Sequence, residues 1–216
     1  MILNTGGRTD TVNYFSEWLN RFAAGYAYSR NPFHPDVVNR IDLNPETIDV
    51  VEFCSKNYRP ILSRLHEITE RFNCHFHYTI TAYDKDIEPN VPGIDESIET
   101  LRDLSAQVGK EKIIWRYDPV LLTGKYTIER HFATFDYMAG RIAPYVSRCV
   151  FSFVVWYKKL HLPELQPISG QQKELIAKGL GEMAAKRHLY IQTCGTKESY
   201  EQYGIHHSGC MTRAVY

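Results

Sequence analysis

The sequence has no excess of charge of either sign, since 25 Lys and Arg balance 25 Asp and Glu. That balance argues against a broad electrostatic footprint for nucleic acid or an anionic membrane, while leaving room for a local basic cleft. Long hydrophobic runs are missing as well. The most apolar stretch, around Val150 to Trp156, is far short of the ~20 residues that a spanning helix needs. The amino terminus, from Met1 to Arg8, lacks a basic segment followed by an apolar core, so no secretory signal is read there and a cytoplasmic location is expected. Cysteines are few and scattered. The five at positions 54, 74, 149, 194 and 210 show no CxxC spacing, which reads as reduced thiols rather than a disulfide framework. Nor is the composition that of a disordered chain: 44% of residues are apolar and only 23% charged. A chain of 216 residues is then expected to form one large domain, 1–216, with a substantial core.

What is present is an alternation of strand and helix patterns. Apolar or β-branched runs at 1–4, 48–53, 75–83, 113–115, 149–157 and 189–194 are each followed by residues spaced as a helical stripe, such as Ile98, Leu101, Leu104 and Val108. Residues 25–44 alternate differently and predict an inserted β-hairpin after the first unit. Ser169 with Gln172 forms a capping box at the start of the helix that carries Leu175, Ile176, Leu180 and Met183. Six such units predict a parallel sheet with helices outside it. Because polar residues collect at nearly every strand end, the expected arrangement is a TIM-like, partial six-unit β/α barrel rather than a doubly wound sheet with one switch point.

Those strand ends carry the candidate site. Arg8, Lys56, Asn57, Arg116 and Lys158 are positioned to hold a carboxylate or phosphate, and Asp10 and Asp118 to orient them or move a proton. Asp10 also reads as a helix N-cap, and the Arg116/Asp118 pair as an ion pair that locks a loop. His75 and His77 lie on one face of their strand. With no third ligand at a recognisable spacing, they read as half-exposed structural histidines. At the carboxyl terminus, Cys194, His206, His207 and Cys210 form a loose metal-ligand pattern. The polar stretch 84–93 reads as a lid or substrate loop.

The strings Arg8-Thr-Asp10, Arg30-Asn-Pro-Phe33, Ser55-Lys-Asn57, Asp86 to Pro92, Trp115 to Pro119 and Tyr203 to His206 occur in this order. Together they resemble a bacterial family known as domain of unknown function 1848. The resemblance implies a β/α barrel that continues into a cysteine-rich tail like the iron-sulfur segment of radical S-adenosylmethionine enzymes, in particular relatives of spore photoproduct lyase. It therefore implies an iron-sulfur cluster and S-adenosylmethionine as cofactors. No such tail is read up to Tyr216, and the five cysteines do not supply the three closely spaced thiolates that a cluster needs. The usual Arg-Arg-Thr-Asp of the family reads Gly7-Arg-Thr-Asp10 here.

Two function classes follow. One is a radical enzyme acting on a small anionic substrate at the strand ends. The other is a non-redox hydrolase or small-molecule binding module at the same place, with a divalent metal among its options; a scaffold with a purely structural charged edge is the blander third. Oligomeric state is not legible from the sequence.

Overall fold

The computed structural model describes residues 1–209 except 8, 15, 32, 157–161 and 163. Among the described residues it contains an open seven-stranded sheet and a separate two-stranded hairpin. The expected barrel is not formed. The strands are β1 (Ile2–Asn4), the hairpin pair β2 (Tyr26–Arg30) and β3 (Val38–Asp42), β4 (Val50–Ser55), β5 (Cys74–Thr79), β6 (Ile113–Val120), β7 (Arg148–Phe153), β8 (Ile191–Thr193) and β9 (His206–His207). The sheet order is β1-β4-β5-β6-β7-β8-β9, every neighbouring pair is parallel, and β1 and β9 are its two edges.

Closure of a barrel requires edge strands long enough to pair at the tilt and stagger that closure imposes. Here β1 has three residues, of which only Ile2 is exposed, and β9 only two, both exposed. The βα alternation was read correctly, but it fits an open sheet equally well. The strand order follows the chain without reversal, so position in the order singles out no switch point.

Helical segments join the strands. After β1 come two short helices, α1 (Thr11–Tyr14) and α2 (Leu19–Ala24). The segment after Pro60 is a 3-10 stretch, Arg59–Arg64, running into the single-turn α3 (His66–Thr69), where a regular helix was expected. Three longer helices follow: α4 (Ile94–Val108), α5 (Ile128–Ile142) and α6 (Gly170–Ala185). The capping box at Ser169 and Gln172 is formed as predicted. Helix α5 is capped by the Thr127 side chain, which accepts from the Arg130 backbone N–H at 3.3 Å.

The main core lies between the sheet and these helices. Val51, Phe53, Phe76, Tyr78, Trp115, Tyr117 and Phe151 pack with Ile98, Leu104, Phe135, Met138 and Leu180 in one continuous cluster. Trp115 is fully buried, stacks on Phe135 with centroids 5.0 Å apart, and donates its indole N–H to the Ile80 carbonyl at 3.0 Å. That last bond satisfies the one polar atom of a large apolar side chain.

Successive side chains of a strand point to opposite faces. The residues between these core positions therefore share the other face: Glu52 and Cys54, His75 and His77, Arg116 and Asp118, Arg148, and Gln192. A small apolar cluster, Ile114 with Val150 and Cys194, lies among them. Glu52, His75, His77 and Gln192 are buried, so the expectation of half-exposed histidines is corrected.

Gly181 shows how the β9 edge is held. A Cβ there would sit 2.3 Å from the Tyr203 carbonyl oxygen, so α6 and the turn before β9 touch backbone to backbone. Gly181→Ala is expected to cost about 1–3 kcal/mol through forced separation, measured by urea unfolding. Unchanged stability would contradict this contact.

Candidate functional site

The carboxyl-terminal edge of the sheet holds a cavity of about 330 Å³ lined by Gly6, Asp10, Cys54, Ser55, Lys56, Thr79, Arg116, Asp118 and Pro119. These residues come from the loop after β1 and from the ends of β4, β5 and β6. The volume is in the range of small-molecule sites.

Arg116 and Asp118 are two residues apart on β6 and so share a face. They form a two-point ion pair, Nε to Oδ1 at 3.0 Å and Nη2 to Oδ2 at 2.6 Å. The sequence reading placed them at the carboxyl end of the strand; β6 extends through them to Val120, with a register shift against β7 between Tyr117 and Val120. Ser152 on β7 donates to Asp118 Oδ2 at 3.3 Å, which ties this cavity to a neighbouring one of about 320 Å³ lined by Ser152, Lys173, Cys194 and Glu198.

Lys56 follows β4 and pairs through Nζ with Glu88 in the 84–93 loop. Glu88 also accepts from the Thr81 hydroxyl at 2.9 Å. Farther along, Asp84 and Asp86 pair with Lys125, and Asp84 also with Arg130. The loop is thus tethered at several points beside the cavity.

Asp10 has both oxygens engaged. Oδ1 accepts from the Asn13 N–H at 3.0 Å and the Ser55 hydroxyl at 2.7 Å, and Oδ2 from the Lys56 N–H at 2.9 Å. It therefore caps the first helix, as read, and also clamps that helix to the end of β4. Asn57 faces the helix rather than the cavity, donating to the Asn13 side chain at 3.0 Å. With both Asp10 and Asp118 occupied by protein donors, their geometry suits the fixing of neighbouring groups more than proton transfer.

Gly6 forms one wall of the cavity. A Cβ there would come within 2.7 Å of the Cys54 Cβ and 2.8 Å of its carbonyl oxygen. Only glycine lets this loop lie against β4.

Arg8, Lys158 and Cys210 lie outside the described residues. Lys56 and Arg116, the other two predicted cations, meet on one cavity. The carboxyl-terminal metal pattern is not assembled among the described residues: His206 and His207 are neighbours on a strand and so point to opposite faces, and the His206 ring stacks on Tyr190 at 4.1 Å.

What does assemble is a group that sequence reasoning missed. Glu52, Cys54 and His77 offer ligand atoms that all lie within 4.8 Å of one another. Parallel pairing sets Glu52 opposite His75 and Cys54 opposite His77. The signal was an acidic residue and a cysteine two apart inside an apolar strand, beside a strand bearing HxH. Burial pushes the Cys54 thiol up to about 12, with Glu52 adding to the shift, and burial lowers His77 to about 3.

A family model described as domain of unknown function (DUF1848) matches residues 2–216. The chain belongs to this family. No curated protein matches it.

The iron-sulfur cluster implied by the resemblance does not fit the cysteines described in this DUF1848 chain. Cys74 and Cys149 pack into the helix-side core, while Cys54 and Cys194 lie on the other face. Those two are four strand positions apart, at ~4.8 Å per position. No set of three described thiols meets.

Among the described residues, no helix is long and apolar enough to cross a membrane.

Proposed function

We propose that this DUF1848 chain binds a small molecule carrying a carboxylate or phosphate in the cavity at the carboxyl ends of β4, β5 and β6. One observation carries the reading: Arg116 on β6 and Lys56 just after β4 line a single cavity of about 330 Å³ at the sheet edge where ligands of parallel α/β proteins bind. Each cation is held by a carboxylate, Asp118 or Glu88, which orders the side chain ahead of ligand arrival. The Ser55 and Thr79 side chains line the same cavity. The reading is one of binding. No step through an iron-sulfur cluster or S-adenosylmethionine enters it.

Titration calorimetry with inorganic phosphate, pyrophosphate and a short dicarboxylate tests it on wild-type protein and on Arg116→Gln and Lys56→Gln. A charge-assisted hydrogen bond contributes about 1.5–3 kcal/mol, so each variant is expected to lose roughly tenfold to a hundredfold in affinity. Wild-type protein that takes up none of the three, or variants that bind as well as wild type, would overturn the proposal.

A second reading, in which the ion pairs only fasten the strand ends, is favoured by the Lys56–Glu88 pair spanning to the 84–93 loop. It predicts the opposite pattern, with Lys56→Gln lowering stability and no anion binding to wild type.

A further inference from the structure

We propose that Glu52, Cys54 and His77 form a three-ligand site for a divalent metal ion of the zinc class, set in the face of the sheet beneath the anion-binding cavity. The inference goes beyond that cavity and rests on other residues than Arg116 and Lys56, so loss of anion binding leaves it standing.

The spacing supports it first. A tetrahedral zinc site with bonds of about 2.0–2.3 Å needs ligand atoms roughly 3.3–3.6 Å apart. His77 Nε2 is 3.2 Å from Glu52 Oε1, and Cys54 Sγ is 3.5 Å from the same oxygen. Glu52 is thus separated from each of the other two side chains as ligands around one ion would be, all three ligand atoms lie within 4.8 Å of one another, and adjacent parallel strands hold them so.

The second observation is the state of His77. Its side chain is fully buried, and among the described residues neither ring nitrogen has a hydrogen-bond partner. The 3.2 Å approach to Glu52 satisfies the distance of an ion pair but not the geometry of a hydrogen bond. A buried imidazole without partners is uncommon and calls for an explanation such as a bound ion. Burial also keeps His77 neutral, which is the form that ligates metal.

Donor type selects the ion. One thiolate, one imidazole and one carboxylate suit zinc and its first-row neighbours, whereas magnesium and calcium prefer oxygen alone. Two anionic ligands neutralise a divalent charge, so the occupied site carries no net charge on the buried face. Binding breaks the S–H bond of Cys54, forms an S–metal bond and releases the proton to solvent; no electrons are transferred. Three protein ligands leave a fourth position, as in catalytic zinc sites, and Cys54 lines the cavity above.

The test is titration of chelator-stripped full chain with Co²⁺ and Zn²⁺. One Co²⁺ per chain and a thiolate-to-cobalt charge-transfer band are expected. Cys54→Ser should abolish the band, His77→Gln should lower affinity by more than about a hundredfold, since loss of outer-shell partners alone costs 10–100-fold, and Cys194→Ser should change neither. X-ray absorption of the zinc-loaded wild type supplies a measurement independent of variant folding, with one sulfur neighbour at about 2.3 Å expected. A wild-type spectrum without a sulfur neighbour, a band that survives Cys54→Ser in folded protein, or a band lost in Cys194→Ser would overturn the site.

Discussion

Trp115→Ala is expected to destabilise the protein by about 3–5 kcal/mol, a large part of the 5–15 kcal/mol that holds a typical domain together. Trp115 is the largest fully buried side chain of the sheet face that supports the helices. Its removal would cost stacking on Phe135, an edge contact with Tyr117 at 5.8 Å, and the hydrogen bond to Ile80. The Ile80 carbonyl loses this partner, which adds to the cost of the void. Because Trp115 immediately precedes Arg116, the loss should also reach the cavity. Urea unfolding monitored by circular dichroism would measure it, and a change below about 1 kcal/mol would contradict the packing described.

His131→Gln should remove part of the acid sensitivity of the fold. His131 is buried on α5, with Nδ1 2.7 Å from the Tyr117 hydroxyl and Nε2 2.8 Å from the Leu121 carbonyl. The carbonyl can only accept, so Nε2 donates to it; in the neutral ring Nδ1 is then the acceptor of the Tyr117 hydroxyl. Burial favours that neutral ring by lowering the pKa below the usual 6.5, with the bond to Leu121 opposing the shift and Arg130 acting with burial. A histidine with a lowered folded pKa binds its proton first in the unfolded chain. Stability is therefore full above about 6.5 and is lost as pH falls from there toward the folded value, by up to about 1.4 kcal/mol per pH unit. Glutamine can keep both hydrogen bonds without titrating. His75 and His77 titrate in the same direction in metal-free protein, so the readout is the difference between wild type and variant. The variant's stability should fall less steeply between pH 6.5 and 5; parallel curves would contradict the assigned state of His131.

Much of this architecture was legible because local physics wrote it into short stretches. The alternation of apolar runs and helical stripes located the strands and longer helices, and the Ser169 capping box needed only four residues to read. The 25–44 hairpin appeared because its alternation differs from the buried runs on either side. The barrel was misread because charged strand ends report which edge of the sheet faces ligands, not whether that sheet closes. Closure depends on β1 and β9, and those edges are too short to leave a strong pattern.

The candidate site was partly legible for a related reason. Arg116, Asp118 and Lys56 stand out at strand ends, and they do meet on one cavity. Glu52 did not stand out, since a single carboxylate inside Val-Val-Glu-Phe-Cys means little until the pairing register sets it beside the HxH of β5. Register is a long-range property, fixed by packing of the Val51 and Phe53 side of the strand. Glu88, which holds Lys56, was hidden inside a loop that the sequence marked only as long and polar.

The central claim is that Arg116 holds an anion at the sheet edge, and the most direct measurement is the melting temperature of wild type and Arg116→Gln over a pyrophosphate titration. A ligand that binds only the native state stabilises it by RT ln(1 + [L]/Kd). Wild type should therefore melt at steadily higher temperature while the variant responds only at roughly tenfold to a hundredfold higher concentration, following the hydrogen-bond energy lost. Equal shifts in the two proteins, or none in wild type, would contradict it.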